Sequence, residues 1–331
     1  MNKHYFVVLG LVCVLLMVAC GQSYEETKRI TRENRRAAWL KDSAALKIAV
    51  MPTLDCLPLF VAEHYQLLDS ANGGVRLKMY MSQMDCDTAL ERGRVEGSMT
   101  DLVRAMRIAS RGTALRSVAV TAAHWQLVTN RNARVRQLKQ LDDKMVAMTR
   151  FSATDLLTDR VVDSVKLDKD RVFKVQINDI SVRMLMLQNN EMDVLWMMEP
   201  QATAARMMKN GVVYDSRNDD LQLGVLVFNE KEMRHPERAQ QLTLFMEAYN
   251  QACDSINKYG VRHYRSVIAE SCKMKENMLD SLPDKIKYER ARGPREQDIV
   301  LVEKWLGVNK AKANSEKEKG KSEKRKGKKK K

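Results

Sequence analysis

Residues 46–68 read LKIAVMPTLDCLPLFVAEHYQLL. The first six residues are an apolar run with strand character. Pro52 removes the amide a strand would need next, and from Leu57 onward the apolar positions recur at helical spacing. Outward from this β-then-α opening, Asn72-Gly73-Gly74 marks a loop, and VRLKMYM (75–81) alternates apolar and polar residues as a strand does. DCDTALERGR (85–94) reads as a helix with Gly93 at its stop, and VEGSMTD (95–101) as a short strand ending in polar residues. The order β-α-β-α-β argues for a mainly parallel α/β sheet.

The same logic recurs further along. KMVAMT (144–149) is a strand, followed by the helix FSATDLLTDRVVDSV (151–165), in which Ser152 and Asp155 form a capping pattern. RVFKVQI (171–177), the helix within 179–190 and EMDVLWM (191–197) repeat strand-helix-strand. Met198-Glu199-Pro200 then leads into a helix that Gly211 is expected to stop. ALERGRVEGSMTD from Ala89 parallels MLQNNEMDVLWMMEP from Met186: Leu90 faces Leu187, and Gly93 faces Asn190 at a position suited to the left-handed end of a helix. The parallel predicts two similar lobes. A further strand-like run covers 221–229. A long amphipathic helix covers 236–260 with Pro236 in its first turn, and the last helix, within 295–307, is stopped by Gly307.

The two ends of the chain differ in kind. Residues 5–19 are apolar and follow a short polar start with one cation, Lys3. This is the pattern of a signal peptide over 1–19, too short for a comfortable membrane span. MVAC (17–20) resembles the bacterial lipobox, with Met17 where Leu is usual. The resemblance implies an acylated (palmitate-type) Cys20, a linker or short exposed helix over 20–44, and a chain anchored in the cell envelope on the periplasmic or cell-surface side without spanning the membrane. Residues 310–331 hold twelve Lys/Arg, three Glu and no large apolar side chain, so a disordered tail is expected, one that can touch anionic headgroups or envelope polymers. Of the formal net charge of +15, nine belong to this tail and one to Lys3; the rest of the chain, at +5, lacks the basic face of a nucleic-acid binder.

Besides Cys13 in the leader and Cys20, four cysteines remain: Cys56, Cys86, Cys253 and Cys272. In an oxidising compartment they allow two disulfides in three connectivities. Cys253–Cys272 and Cys56–Cys86 are the expected pairs, with free buried thiols as the alternative. The five histidines (His4, His64, His124, His235, His263) have no metal-ligand spacing, and Met79-x-Met81-x-x-Met84 is read as core rather than as a soft-metal site. No catalytic motif and no cofactor motif is present, so no enzyme activity, metal or cofactor is expected.

Four blocks taken in order (46–68, ALERGRVEGSMTDLVRA at 89–105, the strand–SAT–helix at 146–157, and NNEMDVLWMMEP at 189–200) resemble type II periplasmic solute-binding proteins of ABC importers, in the nitrate, sulfonate, taurine and thiamine-pyrimidine-precursor branch. The resemblance spans 46–307 and implies two α/β lobes, 45–122 plus 226–309 and 123–225. Two crossovers would join them, near Thr121–Trp125 and Leu221–Val225, with a solute in the cleft between the lobes. A monomer delivering that solute to an ABC permease is the implied role; an envelope sensor or interaction lipoprotein on the same fold is the alternative. Strand ends supply the implied ligand-binding set: Thr53, Leu54 and Asp55; Ser98, Thr100 and Asp101; Thr149, Arg150, Phe151, Ser152 and Thr154; Asn178 and Asp179; and Glu199, which matches the family's Glu-Pro element. A helix N-terminus with Arg150 beside it would favour an anionic group, although Ser152 and Asp101 also suit plain caps and Arg150 a surface cation. The sequence departs from the family where Asp55-Cys56 replaces the Gly-rich or aromatic residues after the first strand. The three acids Asp55, Asp101 and Glu199 suit a cationic, zwitterionic or hydrogen-bond-rich heterocyclic solute better than a naked anion. The cysteine-rich motif of the yeast-type pyrimidine synthases is absent, and their activity is not transferred.

Overall fold

The computed structural model describes residues 24–69 and 74–307. The leader, Cys20, Asn72-Gly73 and the Lys-rich tail lie outside the described residues. Helix α1 (Tyr24–Ala44) forms a unit by itself and exposes Trp39 and Leu40.

The body begins with β1 (Leu46–Val50) and one 3-10 turn, Leu54–Cys56. Then come α2 (Leu57–His64), β2 (Val75–Met79), α3 (Gln83–Glu91), β3 (Gly97–Asp101), α4 (Leu102–Ala109) and β4 (Leu115–Val120). The chain continues through β5 (Gln126–Thr129), β6 (Lys144–Met148), α5 (Ala153–Ser164), β7 (Val172–Gln176), α6 (Ile180–Gln188), β8 (Val194–Met197), α7 (Gln201–Met207) and β9 (Gly211–Asp215). It closes with β10 (Gly224–Asn229), α8 (Pro236–Tyr259), α9 (Arg265–Cys272), α10 (Glu276–Leu279) and α11 (296–307).

Two five-stranded sheets result, ordered β2-β1-β3-β10-β4 and β7-β6-β8-β5-β9. The first three strands of each are mutually parallel, and the fourth position in each is antiparallel to both of its neighbours. That fourth strand, β10 or β5, is the one that follows a crossing between the sheets. The two halves thus share one wiring. Gly93 (φ 64°) and Asn190 (φ 61°) both take the left-handed conformation after their helices, four residues before β3 and β8 respectively.

The apolar interior explains the layers. Between the first sheet and α2, α8 and α9 lies a cluster that includes Phe228, Phe245 and Tyr249. A second cluster runs from one sheet to the other through Ala123, Trp125 and Leu223 and takes in Val302 of α11. Helix α11 reaches the second lobe directly: Trp305 Nε1 donates to Asp159 Oδ2 at 2.9 Å, although the resemblance groups 226–309 with the first lobe.

Four readings of the sequence need correction. Strands β4, β5 and β9 were not expected, β5 because four residues, QLVT, are too short a pattern to read. Gly211 opens β9 rather than stopping a helix. Helix α7 ends at Met207 with Lys209 left-handed (φ 64°), and a Cβ on Gly211 would lie 2.8 Å from Thr129 Oγ1 of the paired strand. Cys56, Cys86, Cys253 and Cys272 are free, buried thiols, so neither expected disulfide is formed. Apolar burial pushes all four thiols up, Cys253 to about 12, and keeps them protonated and inert. Finally, Met79 and Met81 are not core: they are 44% and 38% exposed, because β2 is an edge strand and both its last residue and Met81 just beyond it border an open groove.

The crossings run side by side. Thr121 N donates to Gly224 O (2.9 Å), Trp125 N to Ser216 Oγ (2.9 Å) and Ser216 N to Trp125 O (3.0 Å). A Cβ on Gly224 would lie 2.4 Å from Ala123 Cβ, an atom with no rotamer by which to move away. Gly224→Ala is therefore expected to cost about 1–3 kcal/mol through a forced backbone shift, seen as a lower urea midpoint for the full chain; an unchanged midpoint would show that the crossings tolerate separation.

Candidate functional site

The carboxyl ends of β1, β3, β6 and β8 converge between the lobes, where parallel α/β sheets leave room for a ligand. The two lobes meet across this cleft through their own groups. Leu54 N donates to Glu199 O (2.8 Å), Ile180 N to Met81 O (3.1 Å), Gln201 Nε2 to Pro52 O (2.8 Å) and Arg104 Nη1 to Arg150 O (3.3 Å). The space they enclose is about 60 Å³.

Of the residues expected in the site, Thr53, Asp55, Thr100, Asp101, Thr149, Ser152 and Thr154 line the cleft, as does Asn178. Their polar atoms are largely engaged with one another. Ser152 Oγ donates to Thr149 O (2.6 Å) and caps α5 by accepting from Thr154 N (3.1 Å), while Thr149 N donates to Thr154 Oγ1 (3.0 Å). Thr100 Oγ1 donates to Asp87 Oδ1 (3.3 Å), and Asp87 pairs with Arg104 in a fully buried ion pair.

Six expected residues do not line the cleft. Leu54 is packed in the core, and its carbonyl accepts from Tyr288 Oη (2.8 Å). Ser98 sits mid-strand on the buried side and bonds to Met99 O (3.2 Å). Arg150 is exposed. Phe151 turns away in a left-handed conformation (φ 52°), its ring 3.7 Å beneath the Arg107 guanidinium. Asp179 caps α6, accepting from Ser181 N (2.7 Å) and Val182 N (3.1 Å). Glu199, at a cis bond to Pro200, is spent on the second lobe: it accepts from Gln126 Nε2 (2.9 Å), Arg206 Nη2 (2.8 Å), Thr203 N (3.0 Å) and Thr203 Oγ1 (2.7 Å).

Two cleft residues escaped the sequence reading and matter chemically. Arg183 is buried and donates to Ile177 O (2.7 Å), Trp196 O (2.8 Å) and Thr149 Oγ1 (2.8 Å), using three of its five N–H groups. Burial pulls its pKa down to about 10, so it stays charged at neutral pH. Its one sequence signal is a lone Arg inside the apolar run ISVRMLML. Gln201 lies at the cleft edge, and its Oε1 is buried without a partner. Asp55 Oδ1 is likewise buried and unpartnered, and burial raises that carboxyl to about 6, opposed by hydrogen bonds from Thr53 and nearby amides. Orphaned buried acceptors are costly and point to something that would satisfy them.

Asp101 accepts from Arg104 N (3.0 Å) as the cap of α4 and also faces the Ala153 amide at the start of α5. It thereby occupies the helix N-terminus that the sequence reserved for an anionic solute. Burial raises its carboxyl to about 7, against the pull of Arg104. Among the described residues no cluster of His, Cys, Asp or Glu could hold a metal ion, and no helix is long and apolar enough to cross a membrane.

Solved structures show the same architecture. The alkanesulfonate-binding protein SsuA from Xanthomonas axonopodis pv. citri, bound to MOPS, superimposes with a TM-score of 0.67 at 15% identity over 81% of this chain and 93% of its own. The fold is that of the two-lobed periplasmic binding proteins. The ligand-binding component of an ABC-type import system from Staphylococcus aureus (TM-score 0.66, 16% identity, 80% of this chain and 92% of that one) shares this fold. So does the nitrate-binding protein NrtA from Synechocystis PCC 6803 (TM-score 0.61, 12% identity, 77% and 74%). Each of these neighbours is a binding protein or ligand-binding component. No protein-family model matches the chain, and no curated protein does.

A carboxyl raised in the fold binds its proton more tightly there than in the unfolded chain, so Asp101 lowers stability as pH rises from about 4 to about 7. Asp101→Asn keeps a capping oxygen and removes the buried charge. It is expected to raise stability at pH 8 by up to about 4 kcal/mol and to flatten the profile below pH 7. Denaturant melts from pH 4 to 8 check this; a less stable variant at pH 8 would mean that the Asp101 charge is fully compensated.

Proposed function

We propose that the chain captures a small polar solute in the interlobe cleft and presents it to an ABC permease, held to the envelope by acylated Cys20. The observation that carries this reading is a periplasmic-binding-protein cleft lined by two residues, Asp55 and Gln201, whose buried acceptors Oδ1 and Oε1 have no partner. A cavity of that kind is satisfied by a bound molecule and released by parting the lobes. The solute-binding role of the structural neighbours supports the same reading. The anchor rests on the MVAC sequence at 17–20, and contact of the tail with anionic lipid or envelope polymer rests on its twelve cations.

Two experiments test it. The full chain, incubated with a fractionated metabolite extract and examined by native mass spectrometry, is expected to retain one small solute. A saturating solute at 100 times its Kd adds about 2.7 kcal/mol of stability. Retention of nothing from any fraction would refute solute capture. For the anchor, cells fed an alkyne fatty acid are expected to label the wild-type chain and not Cys20→Ser; equal labelling of both would place the lipid elsewhere.

A further inference from the structure

We propose that the solute is an amphipathic amine or amidine, its donor-bearing head set against Asp55 Oδ1 and Gln201 Oε1 in the cleft and its apolar body laid in an adjoining methionine-lined groove. This rests on the solute-capture reading and goes beyond it by naming the chemical class.

The head follows from the cleft's own chemistry. Its two unpartnered atoms are both acceptors, so the missing partner must donate. Asp55 is 8% exposed, and its Oδ1 accepts no hydrogen bond among the described residues. The charges lining the space do not cancel: Asp55 and Asp101 stand against Arg183, while Asp87 and Arg104 neutralise each other nearby. A cation restores balance where a second anion would not. The helix N-terminus that would cradle an oxyanion is filled by the Asp101 carboxylate, and three Arg183 donors are held by the protein.

The body follows from space. The enclosed 60 Å³ holds only about four water-sized groups, enough for an ammonium or amidinium and little more. At Ile180 and Gln201, which line both spaces, the cleft adjoins a groove of about 990 Å³. Six methionines line that groove: Met79, Met81, Met184, Met208, Met274 and Met278. Leu185 beside them is 55% exposed. Thioether side chains adapt to varied apolar shapes, which suits an alkyl or aryl body. Gln201 marks the junction: its Nε2 is tied to Pro52 O, while its Oε1 is left for the head.

The test titrates the full chain with primary n-alkylammonium ions from butyl to octyl and with n-alkylsulfonates of equal length. The ammonium ions are expected to bind, with Kd falling about fourfold per methylene, and the sulfonates are not. Asp55→Asn is expected to weaken every ammonium at least about tenfold while its Tm shows an intact fold. The double variant Met79→Ser/Met81→Ser, at two exposed groove positions, is expected to flatten the chain-length dependence. Sulfonates binding as tightly as ammonium ions, an unaffected Asp55→Asn, a flat series in the wild type, or no amine bound at millimolar concentration would each overturn the proposal. Retention of a non-amine solute from the metabolite extract would leave solute capture standing while this inference fails.

Discussion

Two stretches of chain pass between the sheets, and the bond from Thr121 N to Gly224 O holds them together. Everything else in the body is arranged around that pair. The first crossing delivers β5 and the second delivers β10, and each enters the other's lobe as the antiparallel fourth strand. Because the stretches run within hydrogen-bonding distance, with no room for a side chain at Gly224, the two sheets cannot translate freely. Two short crossings lying side by side are the arrangement found at hinges between lobes.

That geometry explains why the cleft's polar groups divide as they do. Groups near the crossings are largely bonded within the protein: Glu199 accepts four bonds inside the second lobe, and its carbonyl accepts from Leu54 N. Groups deeper in the cleft form the Ser152–Thr149–Thr154 and Asp87–Arg104–Thr100 networks, which leave few unmet partners. Against that background the oxygens of Asp55 and Gln201 stand out as the unmet acceptors among the residues lining the cleft. A buried acceptor left without a partner costs more than a satisfied one contributes.

The electrostatics reinforce the division. Burial raises Asp55 and Asp101, lowers Arg183 and leaves all three charged to differing extents at neutral pH. The fold tolerates the cost because Asp101 caps one helix and faces the start of another, and because Arg183 is locked by three acceptors. A site that carries net charge at the expense of stability is typical of one built to bind.

Local pattern alone determined much of this protein. Seven strands were legible, some as short apolar runs before a breaker, as 46–51 before Pro52 and 191–197 before Pro200, others by alternation, as 75–81, or by their place between helices, as 95–101. The helix end shared by Gly93 and Asn190 was legible because left-handed backbone favours those two residue types. Strands β4, β5 and β9 were not, since short edge or crossing segments owe their pairing to partners distant in sequence, as Gln126 does to Met197 and Asp215. Nor could the sequence separate Asp55 from Glu199, two acids at strand ends with opposite fates. Whether a carboxylate is satisfied within the protein depends on which donors reach it, and Arg206, Thr203 and Gln126 reach Glu199 only because the folded second lobe brings them there.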